Sequence, residues 1–384
     1  MPPRFQAVPW IHGSGLVLPT SNDLSYPRQP LHPLPSIHDP AAIEAIRRRL
    51  RLDPEKIRKL RTAFYKRYAD DETLSSSFPF AGACRQHWLK LEQRMDSELD
   101  GASKLLFKTE QGLLLETVIL RIASGRTTLC VSSQVGCAAA CEFCATAKMG
   151  VAQSLSTDEI LDQVVQAGQL LTQEERRLRN IVFMGMGEPF HNEDSLLESL
   201  RVLASPKHFE FSPAHILVST AGVIPGMLRC VERFPEVRIA LSLHSVNQEV
   251  REKLIPIASK YPLDSLRSAL VKINARQRQP VMIEYLMLGD VNDSLEDAND
   301  LAVWLGGLKV HVNLIPFNLI DGSPQLKTSQ PEAMLAFSET LKTAGLKATV
   351  RYSLGSDIAA ACGQLVQQEN RRIAGQNSAR SRPS

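Results

Sequence analysis

The chain has 384 residues, of which 43% are apolar, and its 44 basic residues nearly balance its 41 acidic ones. A chain of this length can bury one large core plus a small accessory domain, and any nucleic-acid contact must come from a local patch rather than from net charge. The amino terminus lacks a basic segment followed by an apolar run, and no stretch approaches the roughly 18 apolar residues of a membrane span. We therefore expect a monomeric, cytoplasmic protein that makes no membrane contact.

The first 40 residues contain nine of the 23 prolines. Proline fixes φ and removes a backbone donor, so we expect residues 1–40 to form an extended or disordered leader. Residues 41–121 are predicted to form a small, mostly helical accessory domain, in which Asp53 followed by Pro54 is typical of a helix start.

A run of basic residues marks the start of this accessory region. Its members are Arg47, Arg48, Arg49, Arg51, Lys56, Arg58, Lys59, Arg61, Lys66 and Arg67. Only Glu44, Asp53 and Glu55 oppose them in the same window. Such a run is either a solvated helix face or a patch that contacts an RNA backbone, and the sequence leaves both interpretations open.

Beyond Lys104 short β-branched runs alternate with longer amphipathic segments. The predicted strands are Thr128–Ser133, Ile181–Gly185, Ile216–Thr220, Arg238–Leu243, Val281–Leu288 and Val312–Phe317. The predicted helices lie near 156–172, 193–204, 225–234, 264–276, 294–306 and 331–344. Alternation at this spacing predicts parallel βαβ units, and six of them without a GxGxxG fingerprint favour an α/β fold with a partial (β/α)6 barrel over residues 122–358. The last segment, 359–384, ends in a polar, basic tail that we expect to be frayed.

Three of the seven cysteines lie within eight residues of one another, in the segment CAAACEFC. Cys137, Cys141 and Cys144 follow the first predicted barrel strand with a C-x3-C-x2-C spacing, which in a reducing cytosol indicates metal binding rather than disulfides. Three thiolates on one loop can bind three irons of a [4Fe–4S] cluster and leave the fourth open to chelate S-adenosylmethionine (SAM). The alternative is a zinc site with Cys130 as its fourth ligand, although Cys130 lies seven residues upstream on a strand.

From Leu105 to Leu365 the chain contains, in order, CVSSQVGCAAACEFCATA, FMGMGEP, VSTAGV, ALSLHS, LIPFN and GSDIAAACGQL. Together these segments resemble the motifs of the radical-SAM adenine-methylating RNA methyltransferase family. That family modifies carbon 2 or carbon 8 of an adenosine in large-subunit ribosomal RNA, and some members also modify tRNA. The resemblance implies a [4Fe–4S] cluster on Cys137, Cys141 and Cys144, SAM as methyl donor, RNA as substrate, and a small electron-transfer protein as reductant.

The resemblance also implies which residues hold SAM. They are Gly187, Glu188, Ser219, Ser242, Leu243, His244 and Asn318. Each lies at the carboxyl end of a predicted strand, the face where β/α barrels collect their chemistry. Alone, a serine or asparagine at such a place would be a turn cap and His244 a structural histidine, so the assignment depends on their joint occurrence.

Two isolated cysteines have catalytic roles by the same resemblance, whereas Cys84 and Cys230 are interpreted as small buried apolar residues. An adenine ring carbon is not nucleophilic enough to attack the SAM methyl directly, so we expect Cys362 to accept the methyl first. A second SAM is then cleaved to a 5′-deoxyadenosyl radical, which abstracts hydrogen from the S-methyl group. The methylene radical adds to the ring, and Cys130 resolves the adduct as a transient Cys130–Cys362 disulfide.

The segment LLLETVIL places Glu116 in an otherwise apolar run. Burial there would suit the carboxyl to proton transfer, whereas a glutamate on an edge strand would face water. The family has its proton acceptor at the matching position, so the resemblance favours the first interpretation.

The amino-terminal region departs from the family, because AFYKRYADDE stands where the accessory-domain pattern is expected. That domain helps to select RNA, so the target stays open: we expect carbon 2 of a 23S rRNA adenosine, with carbon 8 or a tRNA as alternatives. Two other classes are a non-methylating radical-SAM maturase, which would not need Cys130 and Cys362, and a catalytically silent RNA-binding relative. The intact cysteine triplet argues against the silent relative.

Overall fold

The computed structural model describes residues 34–150, 153–365 and 370. Its strands are β1 (Lys90–Asp96), β2 (Ala102–Lys108), β3 (Leu114–Arg121), β4 (Thr127–Cys130), β5 (Gln134–Val135), β6 (Gln153–Ser154), β7 (Asn180–Phe183), β8 (Ile216–Thr220), β9 (Arg238–Ser242), β10 (Val281–Met287), β11 (Val310–Pro316) and β12 (Ala348–Val350). Its α-helices are α1 (Pro40–Arg49), α2 (Pro54–Arg61), α3 (Asp71–Ser77), α4 (Ala145–Lys148), α5 (Thr157–Gln173), α6 (Glu193–Ala204), α7 (Ile224–Arg233), α8 (Gln248–Leu254), α9 (Leu263–Arg276), α10 (Leu295–Leu305) and α11 (Pro331–Thr343).

Strands β4 and β7 to β12 are parallel neighbours in one sheet, and their order in the sheet follows their order in the chain. Helices connect each strand to the next, which is the topology of a β/α barrel that stays open. The predicted partial barrel is confirmed, and the six predicted strands and six predicted helices are all present within a few residues of the expected bounds. The short β12 and α8 were not predicted.

Helix starts follow local capping chemistry. Asp53 Oδ1 accepts a hydrogen bond from the Glu55 backbone N at 2.7 Å, and Pro54 opens α2 as predicted. At α5, Ser156 and Glu159 form a reciprocal capping box. These side chains satisfy backbone donors that the first helical turn leaves unpaired, which sets the start of each helix. Within the described residues no helix is long and apolar enough to cross a membrane.

The expected accessory domain is helical only in its first half. Residues 90–121 instead form three antiparallel strands, β1 to β3, and β3 pairs with β4 so that the barrel sheet continues into this region. The reason is the tertiary context: β3 is almost fully buried between β2 and β4. A hairpin exposed to water would not stabilise such an apolar run.

The described end of the predicted leader is packed rather than extended in solvent. Ile37 is buried, its backbone N donates to Arg85 O at 3.0 Å, and Tyr65 Oη donates to Ile37 O at 2.9 Å. Residues 1–33 lie outside the described residues, as does the predicted basic tail after residue 365 apart from Asn370.

One buried carboxylate joins the accessory region to the barrel. Asp162, in the middle of α5, is fully buried and accepts hydrogen bonds from the backbone N atoms of Trp88 and Leu89 at 2.7 and 2.8 Å. Its other oxygen lies 2.6 Å from His87 Nδ1, and His87 Nε2 lies 2.9 Å from Asp71 Oδ1. Although burial lowers the pKa of His87, the hydrogen bonds to Asp162 and Asp71 outweigh it and raise the pKa to about 10.

This linkage predicts a pH-dependent stability. Because the pKa of His87 rises from 6.5 to about 10 on folding, the imidazolium stabilises the fold fully below pH 6.5, and this contribution is lost as the pH rises through about 10. We expect His87→Gln to lower the free energy of unfolding by about 2 kcal/mol at neutral pH. Urea unfolding between pH 6 and 10.5 measures the difference, which should shrink toward high pH.

His215→Gln is the matched control, because His215 lies half-buried before β8. No carboxylate pairs with its ring among the described residues, so it controls for the loss of an imidazole outside the linkage of Asp162, His87 and Asp71. A constant difference between His87→Gln and wild type across the pH range would contradict the charged interaction.

Candidate active site

The carboxyl ends of the parallel strands surround one cavity, which we call the loop cavity. It is lined by the three clustered cysteines and by residues in the last positions of β8 and β9 or just beyond β7 and β9: Cys137, Cys141, Cys144, Gly187, Glu188, Ser219, Ser242 and His244. Parallel strands present their carboxyl ends at the same edge of a sheet, so residues more than 100 positions apart in the chain meet here. The structure therefore brings together these eight residues and Cys362, all of which the sequence singled out.

The cysteine loop lies between β5 and α4. Gly136 and Ala140 adopt left-handed conformations, with φ of 81° and 57°, and they let the chain turn tightly around the three thiols. The Glu142 backbone N donates to Leu254 O at 2.9 Å, which fixes the loop to the end of α8.

The three thiols share a buried environment. Cys141 is only 9% exposed, while Cys137 and Cys144 are half-buried. Burial raises the pKa of Cys137 to about 12 and raises the pKa values of Cys141 and Cys144 in the same direction. Among the described residues, no three His, Cys, Asp or Glu side chains converge tightly enough to hold a single metal ion. All seven cysteines are free thiols in this structure.

The turn after β7 packs tightly against residues 131–134, which precede the cysteine loop. A Cβ on Gly187, whose φ is 103°, would lie 2.6 Å from Gln134 Cβ, and a Cβ on Gly185 would lie 2.7 Å from Val131 O. Only glycine permits this close approach of two backbone segments. The same turn presents Glu188 to the loop cavity.

Backbone donors fix the Glu188 carboxyl. Its Oε2 accepts from Ala221 N at 2.8 Å and its Oε1 accepts from Phe190 N at 3.2 Å. Burial raises the pKa of Glu188 to about 7, against the opposing effect of these hydrogen bonds. A carboxyl held in this way has a fixed orientation toward a ligand in the cavity.

His244 is neutral and oriented by the backbone. Its Nδ1 accepts from Leu286 N at 3.0 Å, and its ring meets Phe143 of the cysteine loop edge-on, with ring centroids 4.6 Å apart. Burial lowers the pKa of His244 to about 3. The proton of the neutral ring is therefore on Nε2, because Nδ1 is an acceptor.

Two predicted cofactor residues lie away from the cavity wall. The Leu243 side chain is fully buried in the core, and its backbone N donates to Glu284 O at 3.0 Å. Asn318 Nδ2 donates to Cys362 O at 3.0 Å and to Ser353 Oγ at 3.2 Å. Asn318 thus anchors the segment that carries Cys362.

A second pocket, of about 310 Å³, contains both isolated cysteines, and we call it the cysteine-pair pocket. Cys130 lies on its floor at 9% exposure, whereas Cys362 is exposed, and both face the pocket together with Arg351 and Tyr352. Burial, followed by the nearby Cys362 thiol, raises the pKa of Cys130 to about 12. Cys362 and Cys144 also line the loop cavity, so the two spaces adjoin.

The segment that carries Cys362 is held by α4, the helix that directly follows the cysteine loop. The Ala145 backbone N donates to Gly363 O at 2.8 Å, and Thr146 Oγ1 donates to Leu365 O at 2.5 Å. Cys84 and Cys230 are buried elsewhere and line neither space. The fold thus separates the two cysteines with assigned roles from the two without.

Glu116 is fully buried on β3, between two neighbouring strands, and does not face water. Its Oε1 lies 3.0 Å from Lys104 Nζ, and Lys104 also donates to Ala359 O at 3.2 Å, three residues before Cys362. Glu116 is not among the described residues that line either space.

A second carboxyl, which the sequence motifs did not indicate, lies in the loop cavity. Glu284, on β10, is 2% exposed and faces the cavity, where Asn313 Nδ2 donates to it at 3.2 Å. Burial raises the pKa of Glu284. The signal was present, since VMIEYLM contains one charged residue within an apolar strand.

Known proteins resemble this chain over most of its length. The radical SAM superfamily model matches residues 131–302. A probable RNA methyltransferase of Rhodopirellula baltica is 59% identical over 332 residues, which cover 86% of this chain and 88% of that protein. The dual-specificity RNA methyltransferase RlmN of Syntrophobacter fumaroxidans is 44% identical, over 70% of this chain and 77% of the relative.

A solved structure agrees with these relatives. The crystal structure of a radical SAM methyltransferase from Sphaerobacter thermophilus matches with a TM-score of 0.81 and 35% identity, over 86% of this chain and 99% of that one. Membership of this superfamily implies SAM and a [4Fe–4S] cluster as cofactors. The chain is thus a member of the radical-SAM RNA methyltransferase family, as its motifs predicted.

Proposed function

We propose that this enzyme methylates carbon 2 of an adenosine in 23S rRNA, with tRNA as a further substrate, and that the methyl passes through Cys362. The observation that carries the proposal is the shared pocket of Cys130 and Cys362, next to the cavity of the three clustered cysteines. A relative carries the name dual-specificity RNA methyltransferase, which supports RNA of more than one kind as substrate.

Cys137, Cys141 and Cys144 would hold the [4Fe–4S] cluster. They fit it because three thiols, and no carboxylate or imidazole from the loop, face one cavity, and thiolates are the usual ligands of such clusters. When bound, the cluster would supply one electron to SAM, delivered to the enzyme by a small electron-transfer protein. Gly187, Glu188, Ser219, Ser242 and His244 would then hold SAM in the same cavity, while Leu243 and Asn318 would act by positioning their neighbours.

Cys362 lies where it can meet both reactants. Its thiolate attacks the methyl of a first SAM and releases S-adenosylhomocysteine. The S-methyl group on Cys362 would then face the loop cavity, where the cluster and a second SAM would supply the radical chemistry that removes one of its hydrogens. The methylene radical then adds to an adenine in the cysteine-pair pocket, whose volume of about 310 Å³ is near the lower end of the range, about 300–1,000 Å³, of small-molecule sites.

The enzyme acts as a monomer and consumes two SAM molecules for each methyl transferred.

Cys130 and Glu116 complete the reaction. Glu116 would accept the proton that leaves the ring carbon; because it lines neither space, it would act through Lys104, which lies 3.0 Å away and also donates to Ala359 O in the segment of Cys362. The adduct radical would return one electron to the oxidised cluster, and the Cys130 thiolate would then attack the sulfur of Cys362. The carbon released from that sulfur would take up a proton to become the methyl group, and a transient Cys130–Cys362 disulfide would remain. An external thiol reduces this disulfide before the next turnover.

The RNA backbone would bind a groove of about 560 Å³ between α1, α2 and the turn after α6, which we call the basic groove. It is lined by Arg47, Arg58, Arg61, Lys66 and Lys207. Glu44, Glu55 and Glu210 pair with Arg47, Arg58 and Lys66, respectively. Arg61 and Lys207 form no ion pair among the described residues, so their charges are available to phosphate oxygens in the groove.

We expect alanine at Cys137, Cys141 or Cys144 to abolish iron binding. Anaerobically reconstituted wild type should bind about four irons and show thiolate-to-iron charge-transfer absorption. Cys230→Ala is the control, since Cys230 is fully buried in α7 and should leave the iron content unchanged. Stoichiometric zinc without iron in the wild type would contradict the cluster.

Cys130→Ala should trap the reaction after ring addition. It can still accept the methyl on Cys362 and form the carbon–carbon bond, but it lacks the thiol that releases the product. We therefore expect RNA covalently joined to Cys362, detected by mass spectrometry as a ribonuclease-resistant mass on the C-terminal peptide.

Cys362→Ala should give neither adduct nor methylated RNA, and Cys84→Ala should behave as wild type. Turnover of Cys130→Ala at the wild-type rate without adduct would exclude the proposed resolution step. Nucleoside mass spectrometry of the product against 2-methyl- and 8-methyladenosine standards identifies the carbon.

Charge reversal in the basic groove should weaken RNA binding. The double variant Arg61→Glu, Lys207→Glu should reduce the salt dependence of binding by roughly 0.7–0.9 in the log–log slope for each lost phosphate contact. The control is the double variant Arg276→Glu, Lys342→Glu, which makes the same change in net charge on the exposed faces of α9 and α11. Equal effects of the two double variants would mean that the groove is only a solvated surface.

A further inference from the structure

Arg251, on α8, is the largest fully buried side chain among the described residues. Its Nη1 donates to Ser242 O and Leu243 O at 3.1 and 2.8 Å, and its Nη2 donates to Ala221 O at 2.7 Å. All three acceptors are backbone carbonyls just beyond or at the ends of β8 and β9. The guanidinium therefore lies directly beneath the carboxyl edge of the sheet.

No carboxylate among the described residues forms an ion pair with this guanidinium, and its Nε is buried without a hydrogen-bond partner there. Three neutral carbonyls satisfy donors but do not neutralise a full charge. Burial of a cation without a counter-charge costs desolvation free energy, so such a cation is expected only where another interaction offsets that cost. Burial accordingly lowers the pKa of Arg251 to about 10, and the group stays charged at neutral pH.

A negative counter-charge for Arg251 would be present in the loop cavity once a cluster is bound there. Ala221 and Ser242, whose carbonyls hold Arg251, line that cavity with Cys141. The helix that carries Arg251 also holds the cysteine loop, because Glu142 N donates to Leu254 O one turn further along α8. Burial dominates the pKa of Cys141 and raises it, but the charge of Arg251 acts on the same thiol in the opposite direction.

We infer that Arg251 is the buried counter-ion of the thiolate-bound cluster and raises its reduction potential. The inference rests on the proposed assignment of the cluster to Cys137, Cys141 and Cys144. Three thiolates around a cluster core of charge +2 give a net charge of −1. Uptake of one electron from a low-potential donor makes the net charge −2. Arg251 forms no bond and exchanges no proton in this step, but its fixed positive charge stabilises the reduced state more than the oxidised one.

The alternative role is mechanical, since the same three hydrogen bonds tie the ends of β8 and β9 together. Substitution of Arg251 by lysine or by glutamine distinguishes the electrostatic role from the mechanical one. Arg251→Lys retains the charge and loses the forked geometry, whereas Arg251→Gln loses the charge and retains a donor. Arg267→Gln is the matched control, because Arg267 also donates to two backbone carbonyls, of Trp304 and Gly306, but lies on α9 outside the cavity.

The experiment is a redox titration of anaerobically reconstituted enzyme, monitored by the electron paramagnetic resonance of the reduced cluster, together with iron content and thermal unfolding of each apo-protein. We expect Arg251→Gln to lower the equilibrium constant for reduction at least tenfold, which is about 59 mV for a one-electron couple. Arg251→Lys should stay closer to wild type than Arg251→Gln, and Arg267→Gln should match wild type in potential.

An Arg251→Gln variant that loads four irons at the wild-type potential would overturn the inference, as would an equal shift in Arg251→Lys and Arg251→Gln. If Arg251→Gln loads no iron, a Lys variant that loads and keeps the wild-type potential supports the counter-ion. Loss of iron from both variants would overturn it in favour of the mechanical role. A wild type that binds no iron would instead contradict the proposed cluster.

Discussion

Parallel strands must present their carboxyl ends at one edge of the sheet, and the whole site depends on this constraint. The cysteine loop comes after β4, beyond the short β5, Glu188 follows β7, and Ser242 ends β9, yet all of them line one cavity. The strands themselves are buried on both faces, which makes the edge rigid. A rigid edge can hold several short loops in fixed positions, which a ligand with a reactive bond requires.

The carboxyl-terminal segment adds Cys362, a thiol that the barrel edge alone does not provide. It brings Cys362 from the end of the chain to the boundary between the loop cavity and the cysteine-pair pocket. Hydrogen bonds from Ala145, Asn318 and Lys104 hold this segment at three separate points. One of these donors belongs to the helix that directly follows the cysteine loop, so the position of Cys362 and that of the loop depend on each other.

The titratable groups at the carboxyl edge of the sheet are arranged in a way that suits a charged ligand. Burial raises the pKa values of Cys137, Glu188 and Glu284 and so disfavours the negatively charged form of each group. The cation beneath them, Arg251, stays charged at neutral pH. The family's cluster and SAM bring the charges that such groups are arranged to meet, which explains why so many titratable side chains tolerate burial together.

The sequence by itself determined the barrel, the cysteine triplet and most of the polar strand ends, because periodicity and loop motifs are local signals that need no knowledge of neighbours. It did not predict that residues 90–121 extend the sheet, since the partner strand decides whether such a run folds as a strand. Only the tertiary structure placed Asn318 against Cys362 and left Arg251 without a carboxylate partner among the described residues. Both depend on contacts between segments far apart in the chain, and burial of a charge is a property of everything packed around it.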